Sequence, residues 1–230
     1  MGRSFSRRAS GRGGASSVLT RLRASVSGRV MEPEPVVLEK TEALAETAFL
    51  RLLRLFYHIP GQNARSWVMA TRRRRPLCLG GPPGAPDAVV IAPFHTGLRR
   101  LVLTREYRLP LGGFEIGFPA GLVEPAETLE EAARRELREE TGLDVLRFTA
   151  KSPLLFSSAG MTDESVVVVA VECAGEPRRR GGLAADAELI EVLLVSPAEA
   201  GALCEDASLY FDAKAWLIAR RFAATGRLEL

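Results

Sequence analysis

The hydrophobic positions of this chain fall into short runs separated by turn residues. Ala88-Val-Val-Ile-Ala-Pro and Leu101-Val-Leu are continuous apolar runs that predict two strands, joined through His95-Thr-Gly-Leu-Arg-Arg. Val166 to Val171 is the longest run. It is far below the ~18 residues of a membrane span and predicts a buried strand, and residues 190–195 predict another. From Glu127 to Thr141 the pattern is helical, opened by acidic residues and closed by Gly142. Residues 212–224 place Ala213, Trp216, Leu217, Arg220 and Arg221 at helical spacing and predict a final helix. Gly112 to Gly121 holds four glycines and Pro119 and is expected to turn tightly; residues 174–187 are expected to be a loop. Between Val36 and Arg72, the apolar Phe49, Leu50, Leu52, Leu53, Leu55, Phe56 and Tyr57 fit a helix or a pair of strands equally well. Strands alternating irregularly with a few helices imply a mixed sheet between helices, preceded by an N-terminal appendage.

Composition supports a folded chain. Of 230 residues, 47% are hydrophobic and 26% charged, which excludes long disorder, collagen and a disulfide scaffold for the whole. Cys78, Cys173 and Cys204 are far apart and form no C-x-x-C pair for zinc, so a reducing, cytoplasmic setting is expected. The net charge of +3 is misleading. Residues 1–31 carry seven arginines and no acid, and removing those charges leaves −4 for the rest. The basic balance therefore belongs to a Ser/Gly/Arg-rich leader, expected to be disordered, and nucleic acid is not an expected partner. An upstream extension before Met31 is the simpler reading of that leader, and an organelle transit segment stays open. Arg72–Arg75, before the Gly80-Gly-Pro-Pro-Gly84 loop, reads as a solvated run.

The chemistry lies in GLVEPAETLEEAARRELREETGL, residues 121–143. On a helix, Glu136, Glu139 and Glu140 stand at i, i+3 and i+4, so their carboxylates share one face. Ala132 and Ala133 fall in the same sector one turn earlier and permit close approach, while Arg134, Arg135 and Arg138 are expected on the other side. Like charges so concentrated call for a divalent cation, and hard oxygen ligands select Mg²⁺ or Mn²⁺. A bare E-x-x-E-E would be an ordinary solvated face. Here, however, Gly121, Glu127, Arg135, Glu136, Leu137, Glu139, Glu140, Gly142 and Leu143 complete G-x5-E-x7-R-E-L-x-E-E-x-G-L.

That run resembles the signature of the Nudix hydrolases. The resemblance implies an α/β/α sandwich with a mixed β-sheet, and a loop and helix that hold metal against a diphosphate. Glu136, Glu139 and Glu140 then match carboxylate ligands, and the Ala120 carbonyl matches a backbone ligand. Glu127 and Arg135 match a structural brace between loop and helix, with Gly121 and Gly142 bounding the box. The likeness extends over about residues 87–225, most closely to the ADP-ribose and nucleoside-diphosphate-sugar pyrophosphatases. Leu103-Thr-Arg-Glu-Tyr-Arg108 resembles a substrate-binding Q-Y-R strand, which makes Arg108 a candidate substrate ligand. Phe118-Pro-Ala-Gly121 matches the P-A-G lead into the box. Ser157-Ser-Ala-Gly-Met-Thr-Asp-Glu164 resembles a loop that frames the sugar nucleotide, with Gly160 in it. Glu188, or failing that Asp186, matches an acidic residue that serves as base or orients the attacking water, and Glu139 shares the catalytic assignment.

Three departures leave the nucleotide sugar open. Gly117 stands where the group often has Glu, and Glu115 on the same strand face is the candidate substitute. Glu106 replaces the glutamine of Q-Y-R, and Ala159 the proline of S-P-G. ADP-ribose is the first expectation, with UDP-glucose or another nucleotide sugar next. A dinucleoside polyphosphate, a nucleoside triphosphate, coenzyme A or a non-catalytic binding module remain alternatives. The expected organisation is a leader (1–31), an appendage (32–85) suited to forming a homodimer, and a Nudix domain (86–230). His58 and His95 are expected in local structural roles, Trp67 and Trp216 in core or interface, Arg178-Arg-Arg180 in a solvated loop, and Cys173 in packing.

Overall fold

Alternation along one strand organises the whole sheet. In the computed structural model, which describes residues 36–80, 84–177 and 189–230, strand Ala88–His95 (β4) divides its side chains between two faces. Val89 and Ile91 join one buried cluster with Ala132, Ala133 and Leu137, whereas Val90 and Ala92 join another with Ala200, Ala219 and Phe222. Two apolar faces on one sheet require a helix layer on each. Leu129–Thr141 (α1) supplies the first; Pro197–Glu205 (α2) and Ala213–Thr225 (α3) supply the second.

The remaining strands of this sheet are Arg100–Arg108 (β5), Gly113–Gly117 (β6), Ala120–Leu122 (β7), Asp144–Lys151 (β8), Leu155–Phe156 (β9), Ser165–Ala174 (β10), Ile190–Val195 (β11) and Tyr210–Phe211 (β12). Their order is β12-β6-β5-β4-β10-β8, with β11 on β5, β7 on β4 and β9 on β10. The β10–β4 and β12–β6 pairs are parallel and the others antiparallel, so the sheet is mixed. This is the α/β/α sandwich expected from the sequence. No helix among the described residues is long and apolar enough to cross a membrane.

Upstream, Val37–Glu46 (β1), Arg51–His58 (β2) and Arg65–Thr71 (β3) form a three-stranded sheet in that order, which settles the helix-or-strand alternative for this section. The chain divides into two units, Met1–Glu42 with Arg54–Trp67 and Ala43–Leu53 with Val68–Leu230. Within the first, Glu42 pairs with Arg54 at 3.3 Å and Glu39 with His58 at 2.7 Å.

Several expectations need correction. Gly112–Gly121 turns tightly only at Gly112 (φ 59°); beyond it the chain is extended, because Phe114 and Ile116 pair across β5 with Tyr107 and Arg105. Arg73 is not solvated. Its Nη2 donates to Asp87 Oδ2 (2.7 Å) and Ser165 Oγ (2.8 Å), anchoring the run that precedes β4 to the start of β10. Trp67 and Trp216 are 51% and 38% exposed and lie outside the core, which leaves the interface half of the expectation for both. Strands β7, β8, β9 and β12 and helix α2 were not anticipated. The signal for α2 was present in Ser196-Pro-Ala-Glu199, a capping box with proline in the first turn.

Other expectations hold. His95 is buried; its Nδ1 accepts from the Leu98 N–H and its Nε2 donates to the Gly175 carbonyl, a structural role. Cys173 is buried in β10, where desolvation pushes its thiol up to about 12 and leaves it unreactive. Residues 1–31, Arg178-Arg-Arg180, Asp186 and Glu188 lie outside the described residues.

Candidate active site

The acidic helix begins two residues later than its first glutamate, Glu127, suggests. Thr128 is the N-cap: its Oγ1 accepts from the Glu131 N–H at 3.2 Å, and Glu131 Oε2 accepts from the Thr128 N–H at 2.8 Å. Gly142, at φ 77°, closes the helix in the left-handed region, where a side chain would be strained. Glu127 is therefore left in the preceding loop, next to Ala126, which itself holds a positive φ of 71°. From there both Glu127 oxygens meet Arg135, Oε1 on Nε at 3.0 Å and Oε2 on Nη2 at 2.9 Å. Arg135 Nη2 also donates to the Leu122 carbonyl, so one guanidinium joins β7, the loop and the helix. That hydrogen-bonded pairing holds the Glu127 carboxyl below the usual carboxylate range and raises Arg135.

Arg135 does not lie on the far side of the helix. Its Nη1 donates to Glu136 at 2.7 Å and to Glu139 at 3.3 Å, at the border of the acidic stripe. Arg138 and Arg134 do turn away, the first to Asp144 and the second to the Val145 carbonyl at 2.8 Å. What approaches the small Ala132 and Ala133 is the sheet itself, since both are fully buried. The acidic stripe thus continues the helix's inward face. Glu136 and Glu140 point toward β7, whereas Glu139 is half exposed.

The contact with β7 is intimate. The Ala120 N–H donates to Glu140 Oε1 at 3.4 Å, and a Cβ built on the next residue, Gly121, would overlap the Glu136 carboxylate. Gly121 is needed here for close approach, because any side chain would expel that carboxylate. Burial raises the Glu136 carboxyl above its ordinary range, opposed by Arg135.

A cleft of about 270 Å³ opens beside this point, with Ala120 and Gly121 in its wall. Arg108 and Glu115 line it and are bonded to each other at 3.3 Å; Arg108 also donates to Glu106 at 2.6 Å. Ser157, Glu164, Asp212 and Lys214 also line the cleft. Ser157 and Glu164 belong to the 157–164 loop expected to frame the sugar nucleotide, and Arg72 holds Glu164 at 2.8 Å. Gly160 lies in the same loop but not in the cleft wall. Asp212 and Lys214 were missed. The N-cap aspartate of a helix was legible, but its position beside β6 was not.

The donor set suits a divalent cation in kind, since carboxylate and carbonyl oxygens are hard ligands and Gly121 leaves room for a carboxylate at the strand. Among the described residues no three acidic, His or Cys side chains converge on one point. Arg135 Nη1 bonds to both Glu136 and Glu139 and supplies positive charge between them.

The NUDIX domain family model matches residues 84–217. The chain belongs to the Nudix family. Of the Nudix relatives, the ADP-ribose pyrophosphatase of Saccharomyces cerevisiae is 28% identical over 154 residues, 67% of this chain and 65% of that protein. The ADP-sugar pyrophosphatase of Mus musculus is 28% identical over 66% of this chain and 69% of its own length. The putative nudix hydrolase 2 of Caenorhabditis elegans is 40% identical over 98 residues, 44% of its length. The matches thus span under two thirds of the yeast and nematode proteins. A crystal structure of an ADP compounds hydrolase has the same Nudix fold, with a TM-score of 0.63 and 21% identity over 82% of this chain and 94% of that one.

Proposed function

We propose that this protein hydrolyses the pyrophosphate bond of a nucleoside diphosphate sugar, ADP-ribose first among them, with Mg²⁺ or Mn²⁺. The observation that carries the reading is the pair Glu136 and Glu140, set against Ala120 and Gly121 at the wall of a cleft that also holds Arg108. The names of the yeast and mouse relatives support the nucleotide-sugar class.

In this reading Glu136, Glu139, Glu140 and the Ala120 carbonyl hold the cation, which when bound supplies charge neutralisation and water activation. Arg108 binds the substrate, and Glu115 orients Arg108 through their hydrogen bond. Glu188, with Asp186 as the second candidate, takes the proton of the attacking water. Water adds to one phosphorus, the bridging P–O bond breaks, and a nucleoside monophosphate and a sugar phosphate leave. Glu127 and Arg135 keep the loop against the helix throughout.

A substrate panel tests this. ADP-ribose, UDP-glucose, a dinucleoside polyphosphate, a nucleoside triphosphate and coenzyme A are each incubated with Mg²⁺, and products are resolved by chromatography. AMP and ribose 5-phosphate from ADP-ribose are expected, with the reaction abolished by EDTA and restored by excess Mg²⁺. Turnover of only a non-sugar compound would overturn the assignment.

We also infer a homodimer formed through the N-terminal section. Val36, Val37 and Trp67 of the small unit are apolar and 40–60% exposed, as a surface awaiting a partner would be. Size-exclusion chromatography with light scattering should give twice the 24.9 kDa chain mass; a monomer at micromolar concentration would count against it.

A further inference from the structure

Arg108 is not the only cation in the cleft wall; Lys214 is the other among the residues that line it. We propose that Lys214 is a substrate-binding residue whose ammonium takes a phosphate of the diphosphate. This rests on the proposed function and extends it to a residue outside the Nudix box.

Lys214 sits in the first turn of α3, and its position there is tightly defined. Asp212 caps the helix, with Oδ1 accepting from the Lys214 and Ala215 N–H groups at 3.0 Å each. The other oxygen, Oδ2, holds Lys214 Nζ at 2.7 Å, and Nζ also donates to Ser157 Oγ at 3.0 Å. One carboxylate thus fixes both the start of the helix and the direction of its lysine. The Lys214 side chain is only 21% exposed, so its charge is partly shielded from water and acts strongly at short range.

The charge balance of the cleft gives this lysine its importance. Glu115, Glu164 and Asp212 line the wall, and Glu136 and Glu140 lie against Ala120 and Gly121. A diphosphate entering such a site needs fixed positive groups. Arg108 is already bonded to two carboxylates, Glu106 and Glu115. Lys214 is bonded to one carboxylate and one neutral hydroxyl. An ammonium has three N–H donors, so one remains for a phosphoryl oxygen in the cleft. Ser157, meanwhile, links Lys214 to the loop of residues 157–164, so substrate contact at Lys214 also steadies that loop.

The test compares Lys214→Met, Lys214→Arg and Ser157→Ala by steady-state kinetics on ADP-ribose with Mg²⁺ and by calorimetric binding of ADP. Lys214→Met should raise KM about tenfold with kcat within about twofold, and should weaken ADP binding by a similar factor. Lys214→Arg should restore most of that loss, and Ser157→Ala, which leaves the ammonium and its charge in place, should raise KM by less than Lys214→Met does. A lysine serving only to tie helix to loop predicts another pattern: Ser157→Ala and Lys214→Met would match, lowering the melting temperature with KM unmoved. That result would overturn the proposal, as would ADP binding that is absent or equal in wild type and Lys214→Met. The binding arm needs no turnover. If no nucleotide sugar is hydrolysed but ADP binding weakens in Lys214→Met, the substrate reading fails and the role of Lys214 stands.

Discussion

Glu140→Gln should lower turnover roughly 100- to 1,000-fold and leave the protein folded, because it removes a charge at the point where charge stabilisation is needed. The hydrogen bond that Glu140 accepts from the Ala120 N–H is long, at 3.4 Å, and a glutamine carbonyl can accept it too. Glutamine has nearly the same volume, and losing one of three neighbouring carboxylates relieves repulsion on the helix. Thermal unfolding should therefore shift by no more than the ~0.5 kcal/mol usual for a substitution outside the core. The Mg²⁺ concentration for half-maximal rate should rise together with the loss of kcat. Turnover within a factor of three of wild type would remove Glu140 from the cation site.

Gly121→Ala should cost about 100-fold or more in kcat/KM, though it adds only a methyl group. The added Cβ would occupy the space of the Glu136 carboxylate. Backbone strain is not the cause, since Gly121 is absent from the residues with positive φ. What must move is the end of a flexible side chain, so stability should fall by no more than ~1 kcal/mol. The expected result is a stable, poorly active protein. A Gly121→Ala variant with wild-type activity would show that Glu136 need not reach β7. Comparing the two variants separates charge from position, because Glu140→Gln changes a charge in place and Gly121→Ala displaces one intact.

Much of the box was legible because its chemistry is local. The i, i+3, i+4 spacing of Glu136, Glu139 and Glu140 needs only helix geometry, and Thr128 and Gly142 mark the helix ends. The misplacement of Arg135 has an equally local cause. A residue adjacent to Glu136 lies about 100° away around the helix axis, and a long guanidinium can span that angle when Glu127 and Glu139 attract it. The edge strand β8 was missed because an edge strand exposes most of its side chains, and exposed positions need not alternate in polarity.

The amino-acid order by itself determined the family, through the box motif, and it determined the mixed sheet between helices and the acidic helix, since these follow from patterns along a strand or within two turns of a helix. Only the tertiary structure decided that Glu136 and Glu140 meet β7 through the space left by Gly121. The same holds for Arg73, which is an anchor and not a solvated charge, and for Lys214 and Asp212, which complete the cleft. Those facts depend on residues 14 to 106 positions apart, such as Arg73 with Asp87 and Lys214 with Arg108, being brought together by a sheet whose strand order differs from the chain order. No periodicity within one segment carries that information, because burial in the core and not local propensity selects which segments become neighbours.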